Sequence, residues 1–183
     1  MTSTPRLLTL IAAGALALGL SACSGESTTG PSAEPDDTDA AAVAVQTACE
    51  GDEGVTVVVD ASALDEAESE TWCYFASDTV SVADAVAAAG IETEGTTEYG
   101  DQVICRVNGL PSATEPVGST EDPAYVESCE SMPAAFAYWS LWAKPAGGAW
   151  DYAQEGLATL TAEPGDSIAL LFTLDGEPAT PAA

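Results

Sequence analysis

Cys49, Cys73, Cys105 and Cys129 fall into two pairs, each separated by 24 positions. No other feature of the 183-residue chain restricts its folding so tightly. The chain has no histidine, and none of these cysteines stands in a CxxC arrangement. A thiolate metal site is therefore disfavoured, because histidine is the commonest ligand for transition metals. An even cysteine count in an exported domain reads as a disulfide framework, with three connectivities open to four cysteines. The equal spacing favours sequential pairing, Cys49 with Cys73 and Cys105 with Cys129. Each bridge would close a loop of about 25 residues, which loop-closure entropy values at about 3–4 kcal/mol.

Export is itself legible at the amino terminus. Arg6 precedes an apolar run over 7–20, which stops at Leu20, Ser21, Ala22 and Cys23. A positive start, a short hydrophobic stretch and small residues at the cut describe a secretory signal. Fourteen positions are too few to span a bilayer, which takes about 20. The small residues followed by cysteine resemble the bacterial lipobox, in which that cysteine receives a diacylglycerol and becomes the first residue of the mature protein. The resemblance implies removal of 1–22, lipidation of Cys23 and a place on the extracytoplasmic face of the cell membrane. A single acyl chain binds only marginally and two or more hold stably. Lipobox processing supplies at least two.

Residues 23–183 then hold Arg106 and Lys144 against 30 acidic residues, a side-chain charge of −28. Nucleic acid is excluded as a partner, since phosphate contacts need clustered basic residues. Anionic headgroups repel such a chain too, so the lipid would have to hold it. The acids are scattered rather than set in a calcium-loop pattern such as D-x-D-x-D-G, which describes a solvated surface and no metal site.

Residues 23–48 read as the lipidated cysteine and a flexible linker. They are rich in Ser, Thr, Gly, Pro, Ala and Asp and hold no aromatic residue, so they cannot bury enough apolar area to offset the entropy of ordering. Such a linker would hold the domain about 25–30 Å from the lipid. One domain is expected over 49–176, and a disordered tail over 177–183. Strands are expected at 55–59, where β-branched residues crowd, and at 71–75, joined by an acidic hairpin loop. A helix is expected over 81–90. Ser81 is placed as its cap, Asp84 as a capping-box partner, Gly90 as its stop, and Val82, Ala85, Val86 and Ala89 on one face. Further strands follow at 102–107, ending in the turn dipeptide Asn108-Gly109, then at 135–144, around 150–152 and at 167–172. A long loop with four prolines separates the first two of these. One helix after an opening hairpin, then a run of strands, gives an α+β class with the helix on one face of a mixed sheet.

Six segments in this order are similar to a β-grasp module. They are V-T-V-V-V-D (55–60), the helix at 81–90, E-Y-G (98–100), C-R-V-N-G-L-P (105–111), A-Y-W-S-L-W (137–142) and G-G-A-W-D-Y (147–152), closed by the P-G-D turn at 164–166. More narrowly, the chain over 53–173 resembles the transcobalamin-like C-terminal domain family. In transcobalamin-type proteins this domain covers one face of a corrinoid and a helical barrel holds the other. The chain has no room for that barrel. The resemblance therefore implies a lipid-anchored ligand-binding protein that captures a corrinoid or similar cofactor, gripped from one side or shared with an uptake-transporter component. Cobalamin is the implied ligand, and lipid the one covalent group. The competing expectation is an envelope adaptor that docks on another protein and binds no small molecule.

Tyr138, Trp139, Trp142, Trp150 and Tyr152 are the candidate ligand-binding residues. Alternation along a strand sends Tyr138 and Trp142 one way and Trp139 the other, with Trp150 and Tyr152 sharing a face of the returning strand. The same residues would equally serve as cross-strand aromatic pairs stabilising a hairpin. Arg106 is expected as a structural clamp and Asn108 as a turn residue. With no histidine, no G-x-S-x-G elbow and no free thiol once the bridges form, no catalytic residue is expected.

Overall fold

The run of β-branched residues at Val55–Val59 does what its pattern asks. In the computed structural model, which describes residues 43–65 and 67–182, it is the heart of strand β2 (Gly54–Asp60). The chain divides into Met1–Thr38 and Asp39–Ala183, and every described residue belongs to the second unit. The signal segment, Cys23 and its lipidation lie outside the described residues. No helix among the described residues is long and apolar enough to cross a membrane.

The class is α+β. In chain order the elements are β1 (Ala44–Val45), β2, β3 (Ser69–Phe75), β4 (Val80–Ser81), α1 (Val82–Ala88), β5 (Thr93–Thr96), β6 (Gly100–Val107), β7 (Ala137–Lys144), β8 (Asp151–Tyr152), β9 (Thr161–Ala162) and β10 (Ser167–Leu174). Six strands form one mixed sheet in the order β1-β3-β2-β10-β7-β8. Strands β2 and β10 lie parallel at its centre, and β3 and β7 flank them antiparallel. Two small sheets, β4-β9 and β5-β6, stand apart from it.

Side-chain alternation divides the main sheet into two faces. Val55, Val57 and Val59 of β2 join Ile168, Leu170 and Phe172 of β10 and Trp139 of β7 in the principal core, against Val82, Ala85, Val86 and Ala89 on the helix side. Ala169, Leu171 and Trp142 form a smaller cluster on the opposite face, with Val58 and Trp150 beside it. Strand β10 therefore buries side chains on both faces, and its sequence is a continuous apolar run from Ile168 to Phe172. Strands covered on both faces read in this way.

The disulfides are Cys49–Cys73 and Cys105–Cys129, the sequential pairing. The helix is shorter than 81–90. Ser81 sits in extended backbone at its start but makes no side-chain cap bond, while Gly90 takes the left-handed φ of 72° expected of a stop. Asn108 and Gly109 have φ of 50° and 76°, yet they close only a single bridge, Val107 to Leu110, with no strand returning from it. Strand β5 had no signal in the sequence. It pairs with β6 through register shifts at Gly95, where a Cβ would collide with the backbone of Gly100. Within the segment read as linker, Ala44 and Val45 pair with Tyr74 and Cys73 of β3. Within the segment read as a disordered tail, Pro178 accepts a bond from the Thr173 hydroxyl at 3.1 Å, Pro181 is buried, and the Ala182 carbonyl accepts from Trp150 Nε1 at 3.1 Å.

Candidate functional site: a cleft beside an unpaired strand edge

Strand β7 is paired along its whole length to β10, but on its outer side β8 covers only Trp142 and Ala143. The last bond on that side is donated by Ala153 N–H to the Leu141 carbonyl, at 2.9 Å. Backbone groups of alternate residues in an antiparallel strand point the same way. Trp139 therefore directs its N–H and C=O outward with no strand beside them. Strand β6, paired to β5 on its far side, runs nearby without joining β7.

The space between is a cleft of about 370 Å³. Its floor is Trp139, Leu141 and Leu170 from the main sheet. One wall is Gln102, Val103 and Ile104 of β6, and the other is the turn 132–135 together with Gly156 and Leu157. Its lining is mostly apolar, Asp101 is the one ionisable carboxylate in it, and Met132 stands 61% exposed at the rim. The floor is held rigidly. Trp139 Nε1 donates to the Leu110 carbonyl at 2.9 Å, and the indole meets Phe172 edge-on with centroids 5.3 Å apart.

The five aromatic candidates do not form one platform. Trp139 lies in the principal core and beneath the cleft, and Tyr138 also lines the cleft. Trp142 is 4% exposed, stacked on Tyr152 with centroids 4.0 Å apart, and its Nε1 donates to Ser140 Oγ at 2.9 Å. A hydrogen bond with Tyr138, then burial and the charge of that phenol, raise the Tyr152 pKa. Trp150 packs beside Trp142, with Lys144 Nζ 5.0 Å from its ring centroid. The pairs stabilise the β7–β8 turn, as cross-strand aromatic neighbours do.

Arg106 is a clamp. It is buried, and it donates from Nε to the Pro111 carbonyl at 2.9 Å, from Nη1 to Glu94 Oε2 at 2.8 Å, and from Nη2 to the Glu127 carbonyl. These contacts fix both ends of the long loop that delivers the turn 132–135 to the cleft. The Glu127 carboxylate, also buried, accepts from the Tyr125 hydroxyl at 2.6 Å and from Cys129 N–H at 2.7 Å. Burial, then the bond to Glu127, push the Tyr125 phenol up to about 12.

Among the described residues, sulfur and carboxylate groups come together at Cys49, Glu53 and Cys73 and at Glu94, Cys105 and Cys129. Each pair of sulfurs is joined in a bridge, so neither set presents thiolate ligands. Sequence reasoning found Tyr138 and Trp139 but missed the rest of the cleft. Gln102, Met132, Ala135 and Leu157 carry no local signal, because only tertiary packing gathers them. Comparison with protein-family models, curated proteins and solved structures finds no match to this chain.

Proposed function

We propose that this is a lipid-anchored, extracytoplasmic binding protein that holds an apolar small molecule in the cleft between β6 and β7. The observation that carries the reading is the cleft itself. It is concave, it is largely apolar, and it is edged by the outward backbone groups of Trp139. Its volume falls within the span of about 300–1,000 Å³ that small-molecule sites occupy. The architecture proposed is β-grasp-like. What supports it is an opening hairpin, β2-β3, whose first strand lies parallel to the last strand, β10, at the sheet centre, with one helix packed against the core. A corrinoid is much larger than the cleft. In this reading it would be gripped at one edge, with a second protein covering the remainder.

The test is a titration of the full chain with the neutral dye N-phenyl-1-naphthylamine, followed by displacement with cobalamin, cobinamide and haem. Saturable dye enhancement with quenching of tryptophan is expected. Ala135→Trp, which fills the mouth of the cleft from an exposed position, should abolish it without lowering the melting temperature. Dye binding that survives Ala135→Trp unchanged sinks the proposal.

A second reading draws on the same uncovered edge of β7, since unpaired strand edges accept an extended peptide. An adaptor of that kind would show protection of the Trp139 amide from exchange only when a partner protein is present, and no dye binding.

A further inference from the structure

On the face of the main sheet opposite the helix, Lys144, Ser167, Thr56 and Cys73 stand in one register row across β7, β10, β2 and β3. Trp142, Ala169, Val58 and Thr71 form the next row. Neighbouring strands lie about 4.8 Å apart, so the polar members of these rows are within reach of one small ligand. They line a cavity of about 340 Å³, closed on one side by Trp150 and Ala182.

Three properties of this cavity are unusual for a chain so acidic. Lys144 makes no ion pair among the described residues, where the sole salt bridge is Arg106 to Glu94. Its ammonium instead lies over the Trp150 ring. Thr71 and Ser167 are half-buried, and their hydroxyls have no hydrogen-bond partner among the described residues. Thr56 Oγ1 accepts from Cys49 N–H at 3.0 Å and keeps its own proton to donate. Asp60, at the far end, accepts from Ser62 N–H at 3.0 Å and from the Ser69 hydroxyl at 2.8 Å, both at Oδ1. A single unneutralised cation, three hydroxyls with spare capacity and an aromatic wall are therefore gathered in one cavity.

We infer that this cavity is a binding site for an acidic sugar unit, with the carboxylate on Lys144 and the ring hydroxyls on Thr56, Thr71 and Ser167. The chain's net charge does not forbid this. Charges beyond about 8 Å are largely screened at physiological salt, and Asp60 is the only carboxylate side chain lining the cavity. The site is separate from the β6–β7 cleft, with which it shares no lining residue.

The experiment is calorimetry and tryptophan fluorescence on the full chain with sodium glucuronate and galacturonate. Methyl glucoside and acetate serve as the uncharged and hydroxyl-free controls. A uronate should bind about tenfold or more tightly than either control, since a hydrogen bond to a charged group is worth about 1.5–3 kcal/mol. Lys144→Gln should weaken uronate binding about tenfold or more, Lys144→Arg should retain it, and Ala135→Trp should leave it unchanged. If Lys144→Gln fails to fold, Thr71→Val and Ser167→Ala carry the test, each lowering uronate affinity while acetate is unaffected. The inference is overturned by equal affinity for methyl glucoside, by acetate binding as well as a uronate, by a folded Lys144→Gln of unchanged affinity, or by no uronate binding at all.

Discussion

Replacing Arg106 by methionine isolates the clamp on the long loop. Methionine keeps an unbranched apolar stem in the space of the arginine stem but donates nothing. The carbonyls of Pro111 and Glu127 would be left without the donor they now have, at about 1–3 kcal/mol each when buried. The ion pair itself adds little. The Glu94 side chain is 55% exposed and returns to water, and such pairs are worth about 0–1 kcal/mol. The expected loss is therefore about 2–6 kcal/mol, nearly all of it from the two carbonyls. That is a large share of the roughly 5–15 kcal/mol that holds a domain folded. Urea unfolding followed by tryptophan fluorescence measures it, with Glu94→Gln as the companion variant expected to cost under about 1 kcal/mol. If Arg106→Met costs less than about 1 kcal/mol, or if Glu94→Gln costs as much as Arg106→Met, the two carbonyl bonds are not what makes this side chain matter.

The other perturbations read out different parts of the structure. Replacing Cys105 and Cys129 together by alanine should cost about 2–5 kcal/mol in urea unfolding. Its effect should be non-additive with Arg106→Met, because both hold the same loop; strict additivity would show that they act on separate units. Phe172→Ala, at a fully buried position packed on Trp139, should cost about 3–5 kcal/mol, and a cost near that of a surface substitution would place the core elsewhere. Tyr125 loses its proton less readily folded than unfolded, its folded value being about 12 against 10.0. The stability this provides is complete below pH 10 and is lost as pH rises toward 12. Ultraviolet titration of tyrosinate should show a phenol titrating at about pH 12 that disappears in Tyr125→Phe while the raised Tyr152 phenol remains, and persistence of the step at about pH 12 would assign it to another residue.

Part of this architecture is written in local pattern. The β-branched run at Val55–Val59, the apolar run ending at Phe172 and the alternation through Tyr138–Trp142 each specify a strand and its faces. A strand's side-chain period is a property of the backbone alone. The small-residue helix is equally local, bounded by Ser81 and Gly90, although the expected cap bond at Ser81 is absent. Equal cysteine spacing pointed to the pairing that the structure contains, because close partners in sequence meet easily when a hairpin or loop brings them back. Beyond this, local pattern is silent. Strand β5 is held by tertiary pairing around Gly95 and has no propensity of its own to announce it. The parallel contact of β2 with β10 joins segments more than a hundred residues apart. The aromatic residues, dense in sequence, are divided between two faces. Both cavities exist because β8 stops short on β7 and because Trp150 and Ala182 close over the opposite face. Sequence thus determined the long strands, the helix and the cross-links, whose causes lie within a few residues. Only the tertiary structure decided where empty space remains, because a cavity is a property of how separate elements fail to meet.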